Sequence, residues 1–282
     1  MAQKRLVYIW SLRNAAADKA GQHINYKAEA RYMPSPLEHL VTLLNEGPLG
    51  EHLVLDRVIF DDDEGSPADR AKLADYGFAP RPGGTWFYPP GLAVQGRALN
   101  DLLTPVPSTY RRLPLNDPRR ASGKHDFEER LLAALRSVQA DVVVLDGLLV
   151  ILDELVRPGA PFARRIYNIH PGITRDGSPH QRRGAYATLD ALHGARGRRV
   201  VNWQTMEDID VPVVRQTGAS FHYVDNGIDS GEVVADVLAT DIDPEDTILE
   251  LRWNNFHRSL FPALEQGLAK VVGVELGVAH AC

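Results

Sequence analysis

Three polar side chains sit where an α/β protein could do chemistry. Arg165-Ile-Tyr-Asn-Ile-His-Pro171 reads as a short apolar strand that runs into Asn168, His170 and a Pro-Gly stop. Far downstream, Ala219 to Val224 reads as a second strand ending in an acidic, glycine-bounded turn that carries Asp225 and Asp229. An amide and an imidazole can donate hydrogen bonds to a developing negative charge, and a carboxylate can orient the imidazole or carry a proton. Open α/β sheets present such groups at the carboxyl ends of their strands. The pattern predicts one catalytic site formed by Asn168, His170 and Asp229.

The elements that must position these groups follow from hydrophobic periodicity. Arg5 to Trp10 and Leu53 to Phe60 read as buried strands, and Asp141-Val-Val-Val-Leu-Asp-Gly147 as a central parallel one. Ser35-Pro-Leu-Glu starts a helix with a capping serine and proline at its first position, Leu37, Leu40, Val41 and Leu44 form its apolar face, and Gly47-Pro48 ends it. His125 to Val138 predicts a second helix and Leu148 to Val156 a third. Val233 to Leu238 reads as a strand and Asp246 to Leu268 as one long amphipathic helix. Helices alternating with strands imply βαβ units, and so an α/β fold with a Rossmann-like, mostly parallel sheet flanked by helices.

Three segments interrupt that rhythm. Gly21 to Met33 lacks clear periodicity and reads as an excursion of hairpin type. Pro80 to Asn116, rich in Pro and Gly around Trp86, Phe87 and Tyr88, reads as an irregular insertion, either packed on the domain or serving as a substrate lid. Arg196 to Gln216 is the third. The expectation is a single catalytic domain, 1–282, with insertions near 21–33, 80–116 and 196–216.

Composition narrows the function classes. The 282 residues carry a net charge of −6, which disfavours general nucleic-acid binding. No stretch approaches the roughly 18 apolar residues of a membrane span, and the N-terminal apolar run is too short for a signal peptide. A lone Cys282 excludes a disulfide framework and a cysteine metal cluster, and fits a reducing, cytoplasmic setting. No glycine-rich phosphate turn of the G-x-G-x-x-G or Walker type occurs, so a nucleotide cofactor held that way is not expected. Asp61-Asp-Asp-Glu64 lacks calcium-loop spacing and reads as a solvated turn, and no metal is expected. His39 and His222 read as structural. Arginines 164, 165, 175, 182, 183, 196, 198 and 199 face only Asp176 and Asp190 over the same stretch, which predicts a collar for a carboxylate or phosphate beside the site.

Asp141-Val-Val-Val-Leu-Asp-Gly-Leu-Leu-Val-Ile-Leu152, Tyr167-Asn-Ile-His-Pro171, Arg183-Gly-Ala185, Thr217-Gly-Ala-Ser-Phe-His222 and Gly227-Ile-Asp-Ser-Gly231 follow one another in the order seen in folate-dependent formyltransferases. Over this third of the chain the sequence resembles that family, which includes glycinamide ribonucleotide transformylase and methionyl-tRNA formyltransferase. The resemblance implies the formyltransferase fold, with Asn168, His170 and Asp229 catalytic; Asp225 is the nearby competitor, but its place in the motif does not match. It implies a pterin pocket lined by Leu148, Leu149, Val150, Ile151 and Leu152, largely through backbone groups, with Val150 standing where an arginine is often found. N10-formyltetrahydrofolate is then the formyl donor co-substrate.

The acceptor is a separate question. The stretch after Asp229 is short for the RNA-binding domain of methionyl-tRNA formyltransferase, and Ser11 to Asn14 lacks the phosphate turn a ribonucleotide acceptor would need. Arg5-Leu-Val-Tyr-Ile-Trp-Ser-Leu-Arg-Asn-Ala15, together with the insertions, resembles the hydroxyornithine-transformylase branch of pyoverdine siderophore biosynthesis. That resemblance implies the hydroxylamine nitrogen of N5-hydroxyornithine as acceptor, small-molecule partners only, and a monomer. A sugar-nucleotide N-formyltransferase or other amine formyltransferase, a formyltetrahydrofolate hydrolase and a non-catalytic folate-binding module remain as alternatives.

Overall fold

Runs of Val, Ile and Leu too continuous to leave a wet face form the centre of a seven-stranded sheet. Its strands in chain order are β1 (Lys4–Trp10), β2 (Leu53–Phe60), β3 (Leu103–Pro105), β4 (Val142–Asp146), β5 (Ile166–His170), β6 (Gln216–Tyr223) and β7 (Val233–Asp241). They lie side by side in the order β7-β6-β5-β4-β1-β2-β3. All neighbours from β3 to β5 pair in parallel, while β6 and β7 are antiparallel additions at one edge. The strand order reverses at β1 and β4, the place where doubly wound sheets open a crevice for ligands. The computed structural model describes residues 2–11, 19–61, 79–80, 86–87 and 91–276. Leu12 to Asn14, Asp62 to Glu64, Tyr88 and Cys282 lie outside them.

Helices cover both faces. On one, α1 (Pro36–Glu46) buries Leu37, Leu40, Val41 and Leu44 against Leu6, Tyr8 and Trp10 of β1, beside α5 (Phe261–Val272). Ser35 and Glu38 form a reciprocal capping box at the start of α1, as the Ser-Pro-Leu-Glu pattern predicts. On the other face, α2 (Arg119–Ser137) buries Phe127, Leu131, Leu132 and Leu135 against Val7, Ile9, Val143 and Leu145. The hairpin expected in the first excursion forms from Gln22–Tyr26 and Glu29–Met33. Within the stretch expected to be an irregular insertion, Leu103–Pro105 instead joins the sheet as edge strand β3, and Ala93–Val94 pairs with Arg97–Ala98.

Three further differences have physical causes. Leu148 to Val156 is not a helix. Glu128, buried on α2, accepts the backbone N–H groups of Asp153 and Glu154 at 2.8 Å each, bonds that a helical segment would send elsewhere. Leu148 and Leu152 point into the core while Leu149 and Ile151 face out, the alternation of an extended segment. After α3 (Ala187–Ala195), the C-terminal helix is not continuous α: α4 (Ile248–Asn255) and α5 are joined by a π turn at Phe256–Leu260. Pro262 has no N–H to continue the ladder, and the N–H of Phe261 reaches back five residues to Phe256. Asp61 is not solvated but buried, and its Oδ2 accepts from Ser11 Oγ (3.1 Å), Ser108 Oγ (3.2 Å) and Arg111 Nη1 (3.0 Å), tying β1 and β2 to the chain beyond β3.

His39 lies under the same roof. Its ring stacks on Phe261 at a centroid distance of 4.3 Å, and burial, helped by His257, pushes its pKa down to about 4. A base depressed in the folded state is neutral there and protonated when unfolded below its ordinary range, so the stability it supports is present above pH 6.5 and lost as pH falls toward 4. Denaturant titrations at pH 7.5, 6 and 5 should show stability falling at no more than ~1.4 kcal/mol per pH unit from this group. His39→Leu should flatten that slope.

Candidate active site

Asn168 and His170 lie two residues apart on β5 and share a face, because side chains alternate along a strand. β6 runs antiparallel beside it and places His222 directly opposite Asn168. The turn after β6 returns Asp229 to the same spot with a φ of 47°, a left-handed conformation that Asp and Asn tolerate better than most residues.

The four side chains form one contact set. Asn168 Nδ2 donates to Asp229 Oδ1 at 3.1 Å and lies 3.4 Å from His222 Nε2. His170 Nδ1 is 3.4 Å from Asp229 Oδ2, and His222 Nε2 is 3.5 Å from Asp229 Oδ1. The backbone N–H of Gly184 donates to Asp229 Oδ2 at 2.8 Å, an approach that the positive φ of Gly184 (79°) makes possible. Asp225, the nearby competitor, is spent on its own turn: it accepts from Gly227 N and Ser230 Oγ.

Carbonyl partners assign both imidazole tautomers. His170 Nε2 contacts Arg182 O at 3.0 Å and His222 Nδ1 contacts Tyr223 O at 2.8 Å; a carbonyl only accepts, so each of these nitrogens carries the proton. In that tautomer His222 offers Nε2 as acceptor to Asn168, which holds the amide with its NH2 toward Asp229. In neutral His170 the Nδ1 lone pair faces the carboxylate, so a proton placed between them would be bonded on both sides. Burial pushes the His170 pKa below its ordinary value, against the pull of Asp229. Burial alone would raise the Asp229 carboxyl, but the hydrogen bonds it accepts, among them that from the Gly184 N–H, outweigh it and hold the group ionised well below the usual carboxylate range. The result is a buried anion beside an imidazole that is neutral at physiological pH, an arrangement suited to relaying a proton.

A cavity of about 370 Å³ opens from this set. Leu148 to Leu152 line one side of it, and Asp146, Ile169, Phe256 and Leu260 line another. The extended backbone of Leu148 to Leu152, kept from coiling by Glu128, leaves peptide groups available to a flat polar ring. The arginine collar does not form. Arg164 pairs with Glu232, Arg175 with Asp236, Arg183 with Asp176 and Arg198 with Asp210, while Arg196 donates to the carbonyls of Pro244 and Asp246. None of the eight lines the cavity. His222, expected to be structural, is part of the set; only the pairing of β5 with β6 reveals it.

No family model matches the chain. A solved structure of PvdF of pyoverdin biosynthesis, described as a structurally unique N10-formyltetrahydrofolate-dependent formyltransferase, is 64% identical, with a TM-score of 0.88. That match covers 96% of this chain and 99% of the other. The chain belongs to the N10-formyltetrahydrofolate-dependent formyltransferases. The fold extends to more distant members. Phosphoribosylglycinamide formyltransferase from Streptococcus pneumoniae TIGR4 is 18% identical with a TM-score of 0.51, covering 97% of this chain and all of that one. Glycinamide ribonucleotide transformylase 1 from Geobacillus kaustophilus is 17% identical with a TM-score of 0.54, covering 96% of this chain and 100% of that one. Among curated sequences, phosphoribosylglycinamide formyltransferase of Bacillus subtilis (strain 168) is 23% identical over 150 residues, which is 52% of this formyltransferase and 64% of the relative's own length.

Two consequences can be measured. Because Asn tolerates the left-handed backbone at position 229, Asp229→Asn should keep a near-normal melting temperature, whereas Asp229→Ala should lose an additional ~1 kcal/mol or more in denaturant titration. His222→Leu removes one holder of the Asn168 amide, and kcat should fall roughly tenfold, as for one lost hydrogen bond, with folate affinity unchanged.

Proposed function

We propose that this formyltransferase transfers the formyl group of N10-formyltetrahydrofolate to the hydroxylamine nitrogen of N5-hydroxyornithine, giving N5-formyl-N5-hydroxyornithine for pyoverdine biosynthesis. The observation that carries the reading is the 64% identity to PvdF over nearly the whole length of both chains. In this reading Asn168, His170 and Asp229 are the catalytic residues. The pterin binds along Leu148, Leu149, Val150, Ile151 and Leu152, through backbone groups of this extended segment other than the Val150 N–H, which bonds Leu148 O at 2.8 Å. The enzyme acts on small molecules as a cytoplasmic monomer.

The geometry gives each group a task. The hydroxylamine nitrogen attacks the formyl carbon, and the carbonyl oxygen becomes an oxyanion. The long 3.4 Å contact from Asn168 to His222 is the weakest bond of its amide, so that N–H is the one exchanged for the stronger bond to the anion. Such a donor contributes on the order of 3 kcal/mol in a site that excludes water. The proton leaving the attacking nitrogen passes to the gap between Asp229 and His170 Nδ1, where both partners hold it. The tetrahedral intermediate then collapses: the bond from carbon to N10 breaks, N10 takes up the proton, and the hydroxamate product and tetrahydrofolate leave.

The decisive assay follows tetrahydrofolate release with N5-hydroxyornithine, with ornithine, with amino-sugar nucleotides and with no acceptor. Release that depends on N5-hydroxyornithine supports the reading. Equal release without acceptor would identify a hydrolase, and selective release with an amino-sugar nucleotide would identify a sugar-nucleotide formyltransferase. In the same assay Asp229→Asn should lower turnover roughly 10²–10⁴-fold while retaining folate binding.

A further inference from the structure

Three polar side chains are sealed where the C-terminal helices meet the sheet. Asn255, the last residue of α4, Ser259 in the π turn and Thr240 on β7 are all fully buried. Thr240 Oγ1 donates to Asn255 Oδ1 at 3.0 Å and lies 2.7 Å from Ser259 Oγ, which accepts the N–H of Ala239 at 3.3 Å. With its one proton given to Asn255, Thr240 accepts from Ser259. Asn255 Nδ2 in turn donates to the carbonyl of Pro171 at 3.3 Å. A carbonyl only accepts, so this partner assigns which way the amide points. Every donor in the chain points the same way, and the chain ends one residue past His170.

Pro171 also lines the cavity. Its ring locks φ, so holding its carbonyl leaves little freedom to the peptide that follows His170. The next residues are tied to the same place. Ile173 O accepts the N–H of Arg182 at 2.8 Å, and Arg182 O is the carbonyl that His170 Nε2 contacts. A shift at Pro171 therefore disturbs both ends of the contact that sets the His170 tautomer. The other end of the hydrogen-bond chain holds a wall. Asn255 and Ser259 reach the sheet, while their neighbours Phe256 and Leu260 line the cavity, so the π turn serves both at once. Buried polar groups are tolerated only when satisfied, and apolar side chains of the same volume would fill this space without that demand.

We propose that Asn255 is a positioning residue for formyl transfer: through the Pro171 carbonyl it fixes His170 against Asp229, and through Thr240 and Ser259 it locks that placement to the cavity wall. This rests on the reading of His170 as a catalytic residue. Wall and imidazole are then one piece, and a substrate seated on Phe256 and Leu260 meets the proton relay in a set position.

The test uses Asn255→Ala and Thr240→Val, with Tyr26→Phe as control. Tyr26 Oη donates to Asn254 Oδ1 at 2.9 Å, so its loss loosens the same helix one residue earlier without touching Pro171. With N5-hydroxyornithine as acceptor, Asn255→Ala should lower kcat roughly tenfold, as for one lost hydrogen bond, and leave the folate KM unchanged. Thr240→Val should do the same by less, and Tyr26→Phe should leave kcat as it is. Histidine NMR titration reads the placement of His170 without turnover. Burial holds its pKa down, while Asp229, His222 and Arg183 act on its charge. Loosening should move the titration up toward the ordinary value in Asn255→Ala and Thr240→Val, and not in Tyr26→Phe. An unchanged titration, an unchanged kcat, or equal changes in Tyr26→Phe overturns the inference. If Asn255→Ala does not fold, Thr240→Val carries the comparison. Full turnover in His170→Gln overturns the catalytic reading instead, and the titration, which needs no acceptor, then decides alone whether Asn255 sets the imidazole.

Discussion

A buried carboxylate must be satisfied or neutralised, and the site is built around satisfying Asp229. Its two oxygens accept from the amide of Asn168 and the backbone N–H of Gly184, with the imidazoles of His170 and His222 3.4 and 3.5 Å away. These partners come from β5, β6 and the loop carrying Gly184, so the anion is a cross-link between three segments far apart in sequence. Two of them are unusual in backbone as well: Gly184 and Asp229 both sit at positive φ. At the non-glycine Asp229 such a conformation persists only where surrounding contacts hold it, and here those contacts are Asn168 and the Gly184 N–H.

A second buried acid shapes one flank of the cavity. Glu128, on α2, draws the amides of Asp153 and Glu154 and so keeps the preceding residues from forming the helix their composition favours. The cost of burying that charge is offset by two backbone donors and by Lys124 one turn earlier. What the cavity gains is a stretch of peptide groups with no intrahelical partners. On the other side, the π turn before Pro262 sets Phe256 and Leu260 against the cavity. Interruptions in both flanking elements thus face one another across the same space.

The charge pattern shows how a one-dimensional count misleads. Eight arginines against two carboxylates looks like an anion collar, but Arg164 pairs with Glu232 and Arg175 with Asp236 from distant segments, Arg198 with Asp208 and Asp210 of its own hairpin, and Arg183 with Asp176. Local excess in sequence became global balance in space. Among the described residues, the lining of the cavity carries carboxylates and no arginine.

Asn168, His170 and Asp229 were legible from residue types and order alone, as were the buried strands, the capped first helix and the amphipathic α2, because these depend on short-range periodicity and on motifs whose spacing is local. The parallel character of the sheet was legible too, since alternating helix and strand patterns leave few topologies. His222, the buried role of Asp61, the extended run from Leu148 to Leu152 and the edge strand at Leu103–Pro105 were not. Each depends on a partner far away in the chain: a register between β5 and β6, Ser11 after β1 with Ser108 and Arg111 beyond β3, a glutamate on α2, an exposed edge of β2. The amino-acid sequence by itself determined which groups could react. Which of them touch and which tautomer each imidazole holds were decided by tertiary structure, because only packing sets the distances on which hydrogen bonds and buried charges depend.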